Sequence, residues 1–459
     1  MGSEWKKTSV GDVLEKDGGD IQTGPFGTKL KAAEYTEEGV PVISVGEVRF
    51  GNLVVHDKTP RVPPAVTERM PEYLLLEGDI VFGRKGAVER SGLVTSEQEG
   101  WFLGSDGIRI RLPSCCDARF VSYQFLTRAH KIWMVQHAAG TTMASLNESI
   151  VKRIPLILPS LSTQKAIAHI LGTLDDKIEL NRRMNETLES MARAMFKSWF
   201  VDFDPVIDNA LAAGNPIPEP LQARAETRRA LDSQRKPLPD NIQNLFPNAF
   251  VFDEATGWIP EAWEPGVFGD VADHIRDNVA AEELPERELY IGLEHIGRKE
   301  LFLSEGGATD SITSNKSAFR RNDLLFGKLR PYFHKVCIAP HAGVCSTDIL
   351  VFRPRRESFG SFMIMTAYTD EFVEDANMRS TGTRMPRASA KDMLKYAIAV
   401  PSESILDSFD ELTNSIWQKG MESVSHSASL TKLRDTLLPK LLSGELRIPD
   451  AEKLVGDNL

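Results

Sequence analysis

The chain repeats itself, and that repeat limits what it can fold into more than any other feature. Gly140-Thr141-Thr142-Met143 runs on to Ile157-Leu158-Pro159-Ser160. Both segments recur 242 residues later, as Gly382-Thr383-Arg384-Met385 and Ala399-Val400-Pro401-Ser402. A helical pattern follows each copy in the same register: Ile167, Ile170, Leu174, Leu188, Met191 and Met195 become Phe409, Leu412, Ile416, Leu430, Leu433 and Leu437. Tandem copies that each end in a long helix predict two similar globules in a pseudo-two-fold arrangement, with a two-fold-related pair of target sites.

Upstream the offset drifts. Trp5 with Gly11-Asp12-Val13 matches Trp263 with Gly269-Asp270-Val271 at an offset of 258. Gly78-Asp79-Ile80-Val81-Phe82-Gly83-Arg84 matches Asn322-Asp323-Leu324-Leu325-Phe326-Gly327-Lys328 at 244, and Ser105-Asp106 matches Thr347-Asp348 at 242. Insertions therefore gather in the globular part while the helix keeps one length. The helix is a ruler, and the globules are variable readers.

The organisation follows. Residues 1–160 and 263–402 carry short β-type runs punctuated by Gly and Pro, with a helical stretch late in each, so each module reads as α/β or α+β. Residues 161–200 and 403–445 are the two long helices, and 446–459 form a tail. Residues 201–262, rich in proline, read as a semi-rigid linker that crosses between the copies. The first helix carries a seam of Ile167, Leu171, Leu174, Ile178, Asn181, Asn185, Leu188, Ala192, Met195 and Trp199, spaced alternately by 4 and 3 as in a coiled coil. Both seams turn polar at the middle, with Asn181 and Asn185 in one and Gly420, Ser423 and Ser427 in the other. Parallel pairing would match these centres equally well, but two-fold symmetry between tandem copies requires the antiparallel one. A solvated stretch of helix is the plain alternative.

With 41% hydrophobic and 26% charged residues, the 459-residue chain has enough apolar material for real cores. No apolar run reaches membrane-spanning length and no signal peptide is expected, so no membrane partner is anticipated. Cys115, Cys116, Cys337 and Cys345 lack C-x-x-C spacing and read as reduced thiols of the cytoplasm. A net charge of −11 argues against binding nucleic acid over the whole surface, but basic residues cluster locally.

Catalytic signatures are missing. Gly24-Pro25-Phe26-Gly27-Thr28-Lys29 has the wrong spacing for a phosphate loop. Asn215-Pro216-Ile217-Pro218 only grazes the motif by which amino-methyltransferases hold a flipped base, with no methyl-donor loop upstream. Glu4-Trp5-Lys6 lacks the preceding acid of a nuclease metal site, and the nine histidines show no metal spacing. No metal site and no catalytic residue are expected.

Several segments resemble the specificity (S) subunit of type I restriction–modification systems. They are Gly24 to Leu30, Gly78 to Val81, Leu158 to Ala168, Leu180 to Glu189, Phe196 to Pro205 and Gly257 to Trp263. The second copy departs from the pattern, because no glutamine stands in Ser402-Glu403-Ser404-Ile405-Leu406-Asp407 where the first has Gln164. The resemblance implies a non-catalytic subunit with two target-recognition domains, each reading half of an interrupted double-stranded DNA sequence. It implies two antiparallel helices between them, on which two methyltransferase (M) subunits dock. S-adenosylmethionine would then belong to the M subunits, and ATP and Mg to restriction (R) subunits. Helices of roughly 57 Å would set half-site centres at most about 15–17 base pairs apart. Divergence between the modules would make the target asymmetric.

The candidate DNA-binding residues are Thr28 and Lys29, in a Gly-flanked loop, and Arg84, Lys85 and Arg90, which follow a strand. Their counterparts in the second module are Lys328, Arg330 and Tyr332, with Arg384 in the repeated Gly-Thr-x-Met segment. Arginine can read guanine bidentately, although sequence does not sort base contacts from phosphate contacts. Phe196, Trp199 and Phe200, and likewise Leu438, Leu441 and Leu442, are candidates for docking partner subunits, with packing inside the chain as the simpler reading. Two other functions fit less well: a methyltransferase or nuclease with cryptic motifs, and a coiled-coil scaffold for proteins.

Overall fold

A computed structural model describes residues 5–27, 29–140, 143–231, 238–283, 289–304, 306–309, 312–382 and 384–459. It divides into two compact units: unit 1 holds residues 1–178 and 429–459, and unit 2 holds residues 179–428.

Unit 1 opens with the strand Lys6–Ser9, paired antiparallel to Pro155–Leu158. Ser9 then starts a helix, Val10–Asp17, through a capping box: the Asp12 N–H donates to Ser9 Oγ at 3.2 Å, and the Ser9 N–H donates to the Asp12 carboxylate at 3.0 Å. A five-stranded sheet runs in the order Asp20–Thr23, Gly107–Arg111, Ile80–Gly83, Ser91–Leu93, Phe50–Gly51. Its central strand, Ile80–Gly83, is buried throughout. Alternating side chains serve two cores: Ile80 and Phe82 pack with Phe120 and Val121, while Val81 packs with Val42 and Phe102.

Unit 2 repeats this plan. Glu264–Val267 pairs antiparallel to Ala397–Val400, and a four-stranded sheet runs Ala272–Ile275, Ile349–Pro354, Leu324–Gly327, Val336–Ile338. Leu324 and Phe326 face the large core with Phe268 and Phe372, and Leu325 faces a second core with Cys337 and Ile349. Each unit is α+β.

Helix α1 (Leu161–Phe196) and helix α2 (Glu403–Leu442) contribute to both units. Within unit 2 they run antiparallel. Asn181 Nδ2 donates to the Ser423 carbonyl at 3.4 Å and to Ser427 Oγ at 3.1 Å, and Asn185 Nδ2 reaches the Gly420 carbonyl at 3.3 Å. Asn181 is buried, so the polar middle is a buried hydrogen-bonded seam rather than a solvated stretch. Asn181 and Ser423 stand at the repeat offset of 242, so a residue bonds its own duplicate. Asn185 lies four residues further along α1, and its partner Gly420 precedes Ser423 on α2, so the two helices run in opposite directions. Within unit 1, Arg434 Nη1 donates to the Asp175 carboxylate at 2.7 Å.

Three expectations are corrected. Among the described residues, 201–262 are folded elements of unit 2 rather than an extended linker. After α1 the chain makes a wide turn, Lys197–Val201, passes Phe203 at φ 53°, and continues in the helices Asp204–Ala213 and Gln222–Leu231 and the hairpin Phe250–Asp253 with Gly257–Pro260. Pro205 starts a helix instead of breaking one, and Phe203, Val206 and Phe246 enter the unit 2 core. Phe196, Trp199 and Phe200 are not a docking surface, because they pack in that same core against Phe409. Leu438 and Leu441 lie in the unit 1 core and Leu442 packs partly buried on it. The tail folds as well: Ile448–Gly456 is a helix whose Ala451 and Val455 are buried. Among the described residues, no helix is long and apolar enough to cross a membrane.

Candidate nucleic-acid interface

Arg84 and Lys85 in unit 1, and Lys328 and Arg330 in unit 2, stand on the turn that leaves the central buried strand, and main-chain hydrogen bonds hold that turn. In unit 1 the Arg84 N–H donates to the Asp106 carbonyl at 2.8 Å, and the Gly86 N–H to the Ala144 carbonyl at 2.9 Å. The Leu146 N–H donates to the Arg84 carbonyl at 2.8 Å. In unit 2 the equivalent bonds run from Lys328 to Asp348 at 3.0 Å, from Arg330 to Pro386 at 2.8 Å and from Ala388 to Lys328 at 2.9 Å. Ala139 and Ser145 exchange both bonds at 2.8 Å, and Thr381 and Arg387 exchange theirs at 3.2 and 3.0 Å. Five bonds thus recur at matching positions, which docks the Gly-Thr-x-Met loop of each copy beside the cations.

Side chains on this frame differ. In unit 1 the Lys85 ammonium lies 3.1 Å from Asp106, and the Arg84 guanidinium sits 4.3 Å from the ring centre of Phe26. Phe26 is half exposed, and its loop is pressed so close that a Cβ on Gly24 would lie 1.8 Å from the Gly104 carbonyl oxygen. Arg90 closes the same connection, its carbonyl accepting from the Gly83 N–H at 3.1 Å, and its guanidinium lies 5.8 Å from the centre of the exposed Phe50 ring, with Lys131 at 4.3 Å from the same ring. Lys29 is tied elsewhere, donating to the Tyr73 hydroxyl at 3.1 Å, a bond that holds its pKa above the ordinary lysine value. Thr28 lies outside the described residues.

In unit 2, Asp348 serves two cations, Lys328 at 3.8 Å and Arg387 at 3.5 Å. Arg330 adopts φ 52° where unit 1 has Gly86 at φ 76°, so an arginine sits in backbone geometry that glycine fills without strain. Tyr332 is half exposed on the short turn Pro331–Phe333, and Arg384 is exposed in the repeated loop. The frame gathers Arg84 with Lys85, and Lys328 with Arg330 and Arg384. It does not bring Lys29 to that turn, and the Arg90 guanidinium packs on Phe50 instead of beside Arg84.

Sequence reasoning missed Asp106, Asp348, Phe26 and Phe50 as members of the site. The repeat signalled the two acids, which match at 242, but nothing local marked them as partners of cations. Among the described residues no cluster of His, Cys, Asp or Glu is gathered to hold a metal ion.

The profile of the type I restriction modification DNA specificity domain matches residues 2–190. The specificity subunit of the type I restriction enzyme HindI from Haemophilus influenzae is 26% identical over 348 residues, 68% of this chain and 73% of that protein. The MjaIX specificity subunit of Methanocaldococcus jannaschii is 23% identical over 489 residues, 98% of each chain. The crystal structure of a type I restriction–modification S subunit from M. genitalium shares 15% identity at a TM-score of 0.50, covering 95% of this chain and 96% of that one, and so shares the fold. Two α+β units with paired long helices, each unit presenting a basic turn on a duplicated frame, make up the tandem architecture of this chain. Residues 2–190 match the type I restriction modification DNA specificity domain, and along most of its length the chain is similar to type I specificity subunits.

Proposed function

We propose that this DNA-specificity subunit reads an interrupted, asymmetric duplex target, with each unit taking one half. The observation that supports this most is the frame itself, built twice from the same backbone bonds but filled with different cations. A common frame presents a reader to the same kind of surface, and different side chains read different bases. The paired helices dock two methyltransferase subunits, which hold S-adenosylmethionine and methylate adenine N6. Restriction subunits add ATP- and Mg-dependent translocation and cleavage. This chain contributes no catalytic residue and no cofactor, and it works in the cytoplasm. With five of the six expected docking residues buried and Leu442 partly so, the exposed Leu180, Met191 and Leu412 on the helices are the apolar candidates for docking.

Methylome sequencing tests the reading. A bipartite N6-methyladenine motif should disappear when this chain is deleted, and exchanging residues 1–160 for those of another family member should change one half only. Change in both halves or in neither would sink it. Binding of S-adenosylmethionine by the isolated chain would favour the rival enzymatic reading.

Arg330 gives a sharper test of unit 2. Arg330→Gly should leave the thermal midpoint within about 2 °C, because relief of roughly 1 kcal/mol of left-handed strain offsets a similar entropic cost of glycine. Affinity for the target duplex should nonetheless fall by about 10- to 100-fold, with relaxed preference in the unit 2 half only. Unchanged affinity would remove Arg330 from the interface.

A further inference from the structure

When two globules read different sequences, an exposed residue kept in both copies does something that does not depend on sequence. Met143 and Met385 are such a pair, 242 residues apart and 58% and 47% exposed. Around them the copies diverge: Lys85 corresponds to Leu329, Gly86 to Arg330 and Ser145 to Arg387. Both methionines ride loops fixed to the same frame, since the Ala144 and Pro386 carbonyls that follow them accept the equivalent N–H bonds of Gly86 and Arg330. Gly140 at φ 97° and Gly382 at φ 102° turn these loops, and a Cβ on either would fall 2.5 or 3.1 Å from the carbonyl oxygen of Met143 or Met385. The described main chain on either side of each methionine is therefore held, at Gly140 and Ala144 and at Gly382 and Pro386, while the methionine itself is exposed.

We propose that Met143 and Met385 are wedges that enter a base-pair step, one in each half of the target, and open it for the neighbouring cations. The unbranched thioether is flexible and apolar, and side chains of that kind partly unstack and bend duplexes. The surroundings favour a polyanion over a protein partner. In unit 2 four cations, Lys328, Arg330, Arg384 and Arg387, stand on the frame and its loop against one carboxylate, Asp348. This inference rests on the two-half reading of the target.

The test uses the full chain in complex with its methyltransferase subunits, on duplexes in which 2-aminopurine is moved stepwise through each half-site. Fluorescence should rise on binding at one step in each half. Met143→Ala should abolish the rise in the first half only, and Met385→Ala in the second only, each with roughly tenfold weaker binding and an unchanged methylation motif. Leucine at either position should preserve the rise. No rise at any step with the natural protein, or a full rise with both alanine variants, would overturn the proposal. So would loss of methyltransferase subunits from the alanine variants with the fluorescence intact, which would assign these residues to a protein contact. Failure of the two-half reading would show separately, as a motif untouched by exchange of residues 1–160.

Discussion

Asp79→Ala should lower the unfolding midpoint of unit 1 by roughly 6–12 °C. Asp79 is wholly buried and accepts from Arg111 Nε and Nη2, both at 2.7 Å, and from the Leu76 N–H at 2.8 Å. Removing one partner of a buried pair costs about 3–5 kcal/mol because the other charge is stranded. The Arg111 side chain is 36% exposed and regains some water, which argues for the lower end, about 3 kcal/mol. At roughly 2–4 °C per kcal/mol for a unit of this size, the stated range follows. Hydrogen exchange should show the loss in Ile80–Gly83 and Gly107–Arg111. The repeat carries the same device in unit 2, where Asp323 accepts from Arg353 at 2.7 and 2.6 Å and from the Arg320 N–H at 2.7 Å. Asp323→Ala should therefore weaken Leu324–Gly327 and Ile349–Pro354 alike. Shifts below about 2 °C in both variants would mean that water replaces the carboxylate at little cost.

Glu189→Gln should raise the stability of unit 2 at pH 8 by about 3 kcal/mol and flatten its dependence on pH. Burial of the Glu189 carboxyl, on α1, lifts its pKa to about 7, even though the N–H groups of Leu301 at 2.8 Å and Phe302 at 3.2 Å donate to it. The Tyr368 hydroxyl lies 3.4 Å away, and the nearby charge of Glu300 adds to the rise. A carboxyl raised from 4.5 to about 7 keeps its proton in the folded state while the unfolded chain releases it. Its contribution is thus fully present below pH 4.5, fades as pH rises, and is gone above about 7. Across that window the loss amounts to about 3 kcal/mol, at roughly 1.4 kcal/mol per pH unit. Glutamine keeps the acceptor and never ionises. Thermal unfolding at pH 5 and pH 8 reads the difference, with a gain confined to pH 8. An equal midpoint for both proteins at pH 8 would show that Glu189 is ionised in place without penalty.

What could be read from the sequence was whatever the repeat encodes. The constant offset of 242 put Asn181 and Ser423 at matching helix positions, and the two-fold symmetry expected of tandem copies, rather than the polar middles themselves, required the antiparallel contact they make. The strands at Ile80 and Leu324 and the basic turns after them were visible as matched segments. Features present in one copy only were hidden. Glu189 aligns with Thr431, and Phe26 with nothing obvious, so neither had a duplicate to draw attention. Long-range pairs such as Asp79 with Arg111 depend on strand register, which no local pattern reveals. Proline content misled over residues 201–262, because Pro205 serves at a helix start and the phenylalanines between the prolines supply core. Phe196, Trp199 and Phe200 looked surplus on a two-helix pair. They are not surplus once the core of a whole unit closes over them.

The five hydrogen bonds that recur behind each basic cluster join main-chain groups only. Side chains at 84, 85, 328 and 330 can therefore mutate without dismantling the scaffold that aims them. Such an arrangement lowers the barrier to evolving a new target: a few point changes can redirect one half-site while the fold, the helices and the other half are inherited intact.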